Sequence, residues 1–280
     1  MRLDNVAKEI RDLIEKKQQE LQLNFEEENH TYTMKGRTDY PSVSKVIKKF
    51  YDEFPADEVA LKMSKGDVFK QEKLLGEWRM AGEYSTNLGS RVHFFLEKKL
   101  IEIFGNYKDV RQPIFDCDLE QIMKSDGMIN GGYEYLKLMK ERDCVLLDTE
   151  MVLGHPDLGY TGQPDKIWLT KNKSGSDFGL LITDWKTNQI KNFQVKEYTK
   201  KMNHPFDEYP NNALGHYYLQ LPLYGKLLLK MLEGTKYENI KLYGCIIVHL
   251  NQEGEYSEYK VPKNVIETIL EMDIKKYLNV

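Results

Sequence analysis

The run Gly159-Tyr160-Thr161-Gly162-Gln163-Pro164-Asp165 and, further along, Asp184-Trp185-Lys186-Thr187 bracket the stretch that decides the fold. Between them, residues 166–169 and 180–184 are short, apolar and β-branched, as strands are. The intervening loop, residues 171–178, holds Asn172, Ser174, Gly175, Ser176 and Asp177, a turn composition. Folding the chain about the middle of that loop brings Asp165 opposite Asp184, so a hairpin sets the two carboxylates side by side. Strand side chains alternate, which puts Asp184 and Lys186 on one face and Trp185 on the other.

Working outward, residues 145–152 and 242–249 read as further strands. Leu21, Leu23 and Phe25 alternate with polar residues, and Thr31-Tyr32-Thr33-Met34 is a second strand-forming run that ends at the turn-prone Lys35-Gly36-Arg37. Leu3, Val6, Ile10, Leu13 and Ile14 recur at helical spacing and predict an amphipathic opening helix. Further helices are expected over 56–82, 86–104, 133–142, 213–232 and 263–277. Helices flanking a small mixed central sheet define an α/β (α+β) class. With no repeat, low-complexity tract or linker, residues 1–280 read as a single domain with a helical extension over about residues 1–25.

The composition, 41% hydrophobic and 30% charged, supplies a sizeable core, and no stretch nears the ~18 apolar residues of a membrane span, so no membrane partner is expected. The N-terminus has neither an apolar signal core nor an Arg-rich, acid-poor leader, so a cytoplasmic setting in a bacterium or its phage is expected. Three scattered cysteines, Cys117, Cys144 and Cys245, offer no disulfide framework and no CxxC zinc spacing. The net charge of -4 taken alone points away from nucleic acid, although it does not say where the charges sit.

Two clustered carboxylates beside an ammonium group make chemical sense around a hard divalent cation such as magnesium, which takes oxygen ligands and retains waters. Taken alone, Asp-x-Lys is a weak motif, more readily explained as an exposed ion pair worth ~0–1 kcal/mol. Other residues point the same way. Gly89 stands one helical turn before His93 and Glu97 one turn after it. Gln220 and Tyr224 share a helical face, where an amide and a phenol can hold the lysine, a water or a nucleotide, although Pro222 between them is expected to kink the helix or start it. In Tyr40-Pro41-Ser42-Val43-Ser44 a serine can cap a short helix that carries Lys45, Lys48 and Lys49. Lys191, Lys196, Lys200 and Lys201, interleaved with Phe193 and Tyr198, make either a backbone-tracking, base-stacking DNA surface or a solvated lysine-rich loop.

In this order, Gly89 to His93, Glu150, Gly162 to Asp165, Asp184 to Lys186 and Gln220 to Tyr224 resemble the GxxxH, E, GxxD, DxK and QxxxY elements of the RecB-type branch of the PD-(D/E)xK nuclease superfamily. The resemblance covers about residues 40–250. It implies a restriction-endonuclease-like core and a magnesium- or manganese-dependent DNA exonuclease acting on single strands or free ends. His93, Asp165, Asp184, the Trp185 carbonyl and Glu150 would bind metal, and Lys186 would be catalytic with Asp165, Asp184, Gln220 and Tyr224 about it. Ser42 and Ser44 match the serine-containing opening of such enzymes and are expected DNA contacts. Members with an iron-sulfur cluster use four cysteines, so no cluster is expected. Rival readings are a structure-selective endonuclease with the same site and a DNA-binding module of the same fold without turnover.

Overall fold

The computed structural model describes residues 2–105, 115–172, 174–189, 193 and 200–278. In chain order the elements are α1 (Leu3–Glu20), β1 (Asn24–Glu26), β2 (Thr31–Thr33), α2 (Val43–Ile47), α3 (Ala56–Met63), α4 (Val68–Phe104) and α5 (Leu119–Glu141). They continue as β3 (Val145–Thr149), β4 (Leu153–His155), β5 (Tyr160–Gly162), β6 (Lys166–Lys171), β7 (Phe178–Lys186), α6 (Ala213–Leu232), β8 (Lys241–Leu250), β9 (Tyr256–Lys260), α7 (Lys263–Glu271) and α8 (Lys275–Leu278).

β6 and β7 pair antiparallel, from Lys171 opposite Phe178 to Lys166 opposite Thr183. This is the register expected from the turn, with Asp165 and Asp184 at its open end. The Asn172 side-chain oxygen closes the turn by accepting the Ser176 and Asp177 N–H groups. Among the described residues the central sheet has five strands in the order β3-β6-β7-β8-β9, mixed because only the β7/β8 pairing is parallel. A parallel neighbour needs a crossover, and α6 lies within it.

Strand alternation divides the core between the two faces of the sheet. Ile167, Leu169, Leu180, Ile182, Cys245 and Ile247 pack with α1, α6 and α7 on one side. Leu146, Trp168, Trp185, Ile246 and Val248 pack with α4 and α5 on the other. The class is therefore α+β, with helices flanking a mixed sheet.

Several other elements differ from expectation, but the opening helix packs on the body, as its amphipathic spacing favours. Its Val6, Ala7, Ile10 and Ile14 are buried, and Arg11 donates to the carbonyls of Leu146 and Leu147, where β3 bulges. The helical break expected after residue 82 falls instead at 64–67, where Lys65 and Gly66 take positive φ and Asp67 caps α4. α5 begins at Leu119 rather than near 133, because Asp118 and Gln121 form a capping box. The strand expected over 145–152 stops at Thr149, and the short β4/β5 hairpin and β9 were not anticipated. α6 runs unbroken through Pro222, which neither starts nor interrupts it. Apolar packing along most of its length outweighs the lost hydrogen bond. Among the described residues no helix is long and apolar enough to cross a membrane.

Candidate metal centre

β6 and β7 end together, and the residues at those ends face α4 and α6. His93 of α4, Asp165 just before β6 and Asp184 of β7 each place one potential ligand atom within 4.8 Å of the others. The His93 Nδ1 lies 3.5 Å from Asp165 Oδ2, and its ring hydrogen-bonds the Trp185 backbone. The Trp185 N–H donates to the same Asp165 oxygen at 3.1 Å, tying the end of β7 to the residue that precedes β6.

Two ammonium groups flank the carboxylates. Lys186 Nζ is 2.7 Å from Asp184 Oδ2, as expected for residues on one strand face, and lies 4.4 Å over the Tyr217 ring of α6. Lys166 Nζ is 3.4 Å from Asp165 Oδ2 and 4.0 Å over the Trp185 ring. The Lys166 side chain is only 2% exposed; burial lowers the ammonium from its ordinary value, and the charges of Asp165, Asp184 and Glu150 oppose that shift.

This packing shapes the electrostatics. Burial, and then the charge of Asp165, push Asp184 up to about 8. Asp165 is also opposed by burial, but Lys166, His93, a hydrogen bond with Asp184 and then Lys186 hold it below the usual carboxylate range. Against burial, Asp184 and Asp165 keep Lys186 above its ordinary value. Burial lowers His93, which keeps the ring neutral and a lone pair available.

The donor set suits a hard divalent ion. Asp184 Oδ1 is buried and accepts from no donor group among the described residues, and the Asp184 carboxyl instead meets that of Asp165, a pairing of two acids that a cation would relieve. A neutral imidazole and two carboxylates are suitable ligands.

Glu150 stands beside this cluster rather than within the group of mutually close ligand atoms. Its backbone holds a positive φ of 46°, with its N–H donating to the Asp165 carbonyl and its own carbonyl accepting from Gln163 Nε2. The turn before Asp165 thus sets the end of β3. With His93, Glu97, Thr149, Asp165 and Lys166, Glu150 lines a cavity of about 20 Å³, near the volume of a single water site. Burial, followed by the charges of Asp165 and Glu97, pushes its carboxyl well above the ordinary value.

Gln220 Nε2 donates to the Tyr224 hydroxyl at 2.9 Å, so this pair meets across one turn of α6. Tyr224 packs behind the metal cluster: a Cβ on Gly162 would lie 2.6 Å from its ring and 2.8 Å from Val43. Gly89 has a similar role, since a Cβ there would come within 3.3 Å of the Thr187 hydroxyl.

The expected DNA contacts are dispersed. Ser42 precedes α2 without a side-chain capping bond and bridges to Thr161 of β5, while Ser44 is exposed within α2. Lys191 and Lys196, with Tyr198, lie outside the described residues. Lys200 is exposed, and Lys201 donates to the Glu208 carbonyl at 2.9 Å. Phe193 is fully buried against His249 and Tyr259, which corrects the expectation that it stacks on a base.

Tyr217 and Lys166 were missed in the sequence. Tyr217 stands three residues before Gln220, on the Gln220/Tyr224 side of the helix. Lys166 directly precedes the apolar run Ile167-Trp168-Leu169 of β6, a position where a charge needs a partner.

No family model matches the chain, and no curated protein matches it at a significant level of similarity.

Proposed function

We propose that the chain is a magnesium- or manganese-dependent deoxyribonuclease that hydrolyses phosphodiester bonds, acting as an exonuclease on single strands or free ends. The observation that carries this reading is the unpartnered Asp184 Oδ1 in a buried carboxylate pair whose other member, Asp165, faces His93, with Lys186 anchored beside it. His93, Asp165 and Asp184 would hold the ion, with the Trp185 carbonyl and Glu150 at its margin. A divalent ion supplies charge stabilisation to a phosphate oxygen and lowers the pKa of a water.

The chain's own groups supply the rest. Lys186 is kept charged by the two aspartates and oriented by the Tyr217 ring, so its ammonium can position the attacking water or offset negative charge as it develops on the phosphate. The Gln220–Tyr224 pair closes the floor beneath Asp184 and limits solvent there. Lys200 and the lysines preceding it would meet the DNA backbone, and Ser42 and Ser44 would meet the strand beside β5.

The test is cleavage of end-labelled linear and circular single-stranded DNA, and of duplex, by the purified chain with Mg²⁺, Mn²⁺ or EDTA, using Asp184→Ala as control. Metal-dependent loss of linear but not circular substrate supports the exonuclease. Cleavage of the circle makes it an endonuclease. DNA binding without turnover in any metal leaves a binding module, and cleavage unaffected by Asp184→Ala defeats the metal centre.

A further inference from the structure

We propose that Lys166 is a resident cation that limits this centre to a single divalent ion. The proposal rests on the metal-centre reading above and concerns how many ions the centre takes. Its basis is the way the carboxylate oxygens are shared. Lys186 engages Oδ2 of Asp184, while Lys166 and the Trp185 N–H engage Oδ2 of Asp165. Among the described residues no ammonium reaches Asp184 Oδ1, and the neighbour left to that carboxyl is the carboxyl of Asp165. One oxygen from each aspartate and a His93 nitrogen make a ligand set for one ion.

A second ion would have to sit ~3.5–4 Å from the first and share a carboxylate with it. The cavity between Glu97, Glu150 and Asp165 is the acid-lined space next to Asp165, and Lys166 forms part of its wall. The Lys166 ammonium stands 3.4 Å from Oδ2 of Asp165, the carboxylate that a second ion would have to share. The Trp185 ring lies beneath it, and its side chain is 2% exposed. An ammonium at that point repels a divalent ion and takes up part of the carboxylate the two ions would share. Lys166 is therefore a positioning residue: it orients Asp165 for the first ion and excludes another.

The test counts bound Mn²⁺ on the intact chain by calorimetry and by electron paramagnetic resonance, without DNA. One ion per chain is expected for the wild type and for Lys166→Arg, which keeps the cation. Two are expected for Lys166→Ala and for Lys166→Gln, the less disruptive change if alanine does not fold, with spin coupling between the ions. Two coupled ions in the wild type overturn the proposal whatever the variants do, as does a single ion in a folded Lys166→Ala or Lys166→Gln chain. A wild-type count of zero defeats both the proposal and the metal centre, whereas a count of two defeats only the role of Lys166.

Discussion

Lys186 Nζ sits 2.7 Å from Asp184 Oδ2, while the other oxygen of the same carboxylate is buried with no hydrogen bond among the described residues. The aspartate is thus half satisfied by its own strand and half open to a cation. Lys186→Met removes the ammonium while keeping most of the side chain's bulk. DNA cleavage is expected to fall by ~10²–10³-fold, the cost of losing one charge-stabilising donor. Mn²⁺ affinity should be retained, because Asp184 Oδ1, Asp165 and His93 remain. Equal loss of ion binding and cleavage in calorimetry and gel assays would show that Lys186 only holds the site together.

Asp184 gives the centre a pH signature. Burial and Asp165 raise its carboxyl from 3.8 to about 8, so the folded chain favours the protonated form. Without metal, the stability contributed by this group is fully present below the unfolded value and is lost as pH rises through about 8. In EDTA, the Tm of the wild type should therefore drop between about pH 5 and about pH 9 more steeply than that of Asp184→Asn. Mn²⁺ should restore the wild type at the alkaline end and leave Asp184→Asn unmoved, since ion binding displaces the proton. Parallel melting profiles in EDTA would contradict the raised carboxyl.

Gly162 carries a packing prediction. An added methyl would lie 2.6 Å from the Tyr224 ring and 2.8 Å from Val43, so one of these must move. Gly162→Ala is expected to destabilise the chain by ~1–3 kcal/mol, as overpacking does. Because Tyr224 accepts from Gln220, the shift should also lower cleavage while leaving Lys186 in place. A denaturation midpoint equal to that of the wild type would mean that α6 yields freely at this point.

The β6/β7 hairpin was legible because its turn is built from residues with one strong conformational preference. The symmetry of the loop fixes the register, and with it the placement of Asp165 opposite Asp184. Local signals missed or misplaced elsewhere include the Asp118–Gln121 capping box and the left-handed pair Lys65-Gly66. What local sequence could not reveal depends on distant packing. Lys166 alternates onto the face opposite Asp184, and it reaches Asp165 only because Asp165 lies beyond the strand end, where its Oδ2 accepts from Trp185. The burial of Phe193 likewise depends on His249 and Tyr259, some sixty residues away in the chain. Pro222 looked like a breaker, yet the fit of Leu219, Leu221 and Leu223 in the core decides the helix.

His216 ties the segments that carry Tyr51 and Asn211 to α6 and carries a separate acid-dependent prediction. Its ring stacks on Tyr51 at 3.7 Å, and its Nε2 is 2.7 Å from Asn211 Oδ1, whose own amide donates to the Asp52 carbonyl. Burial lowers the ring from 6.5 to about 4, and its place in the first turn of α6 adds the positive end of a helix dipole. The folded chain therefore holds His216 neutral while the unfolded chain takes up a proton, so this contribution to stability is present above about pH 6.5 and is lost as pH falls towards 4. Discounted for partial solvent screening, the loss is ~1–2 kcal/mol. His216→Phe keeps the stacking on Tyr51 and removes the titration. It should be less stable near neutrality by ~1 kcal/mol, from the missing bond to Asn211, yet show a shallower fall with acid. Urea midpoints measured for both chains across that range decide it: identical acid slopes would place the sensitivity elsewhere. A shallower slope would show that acid loosens the Tyr51–His216–Asn211 tie, and with it the segment that presents Lys200 and Lys201.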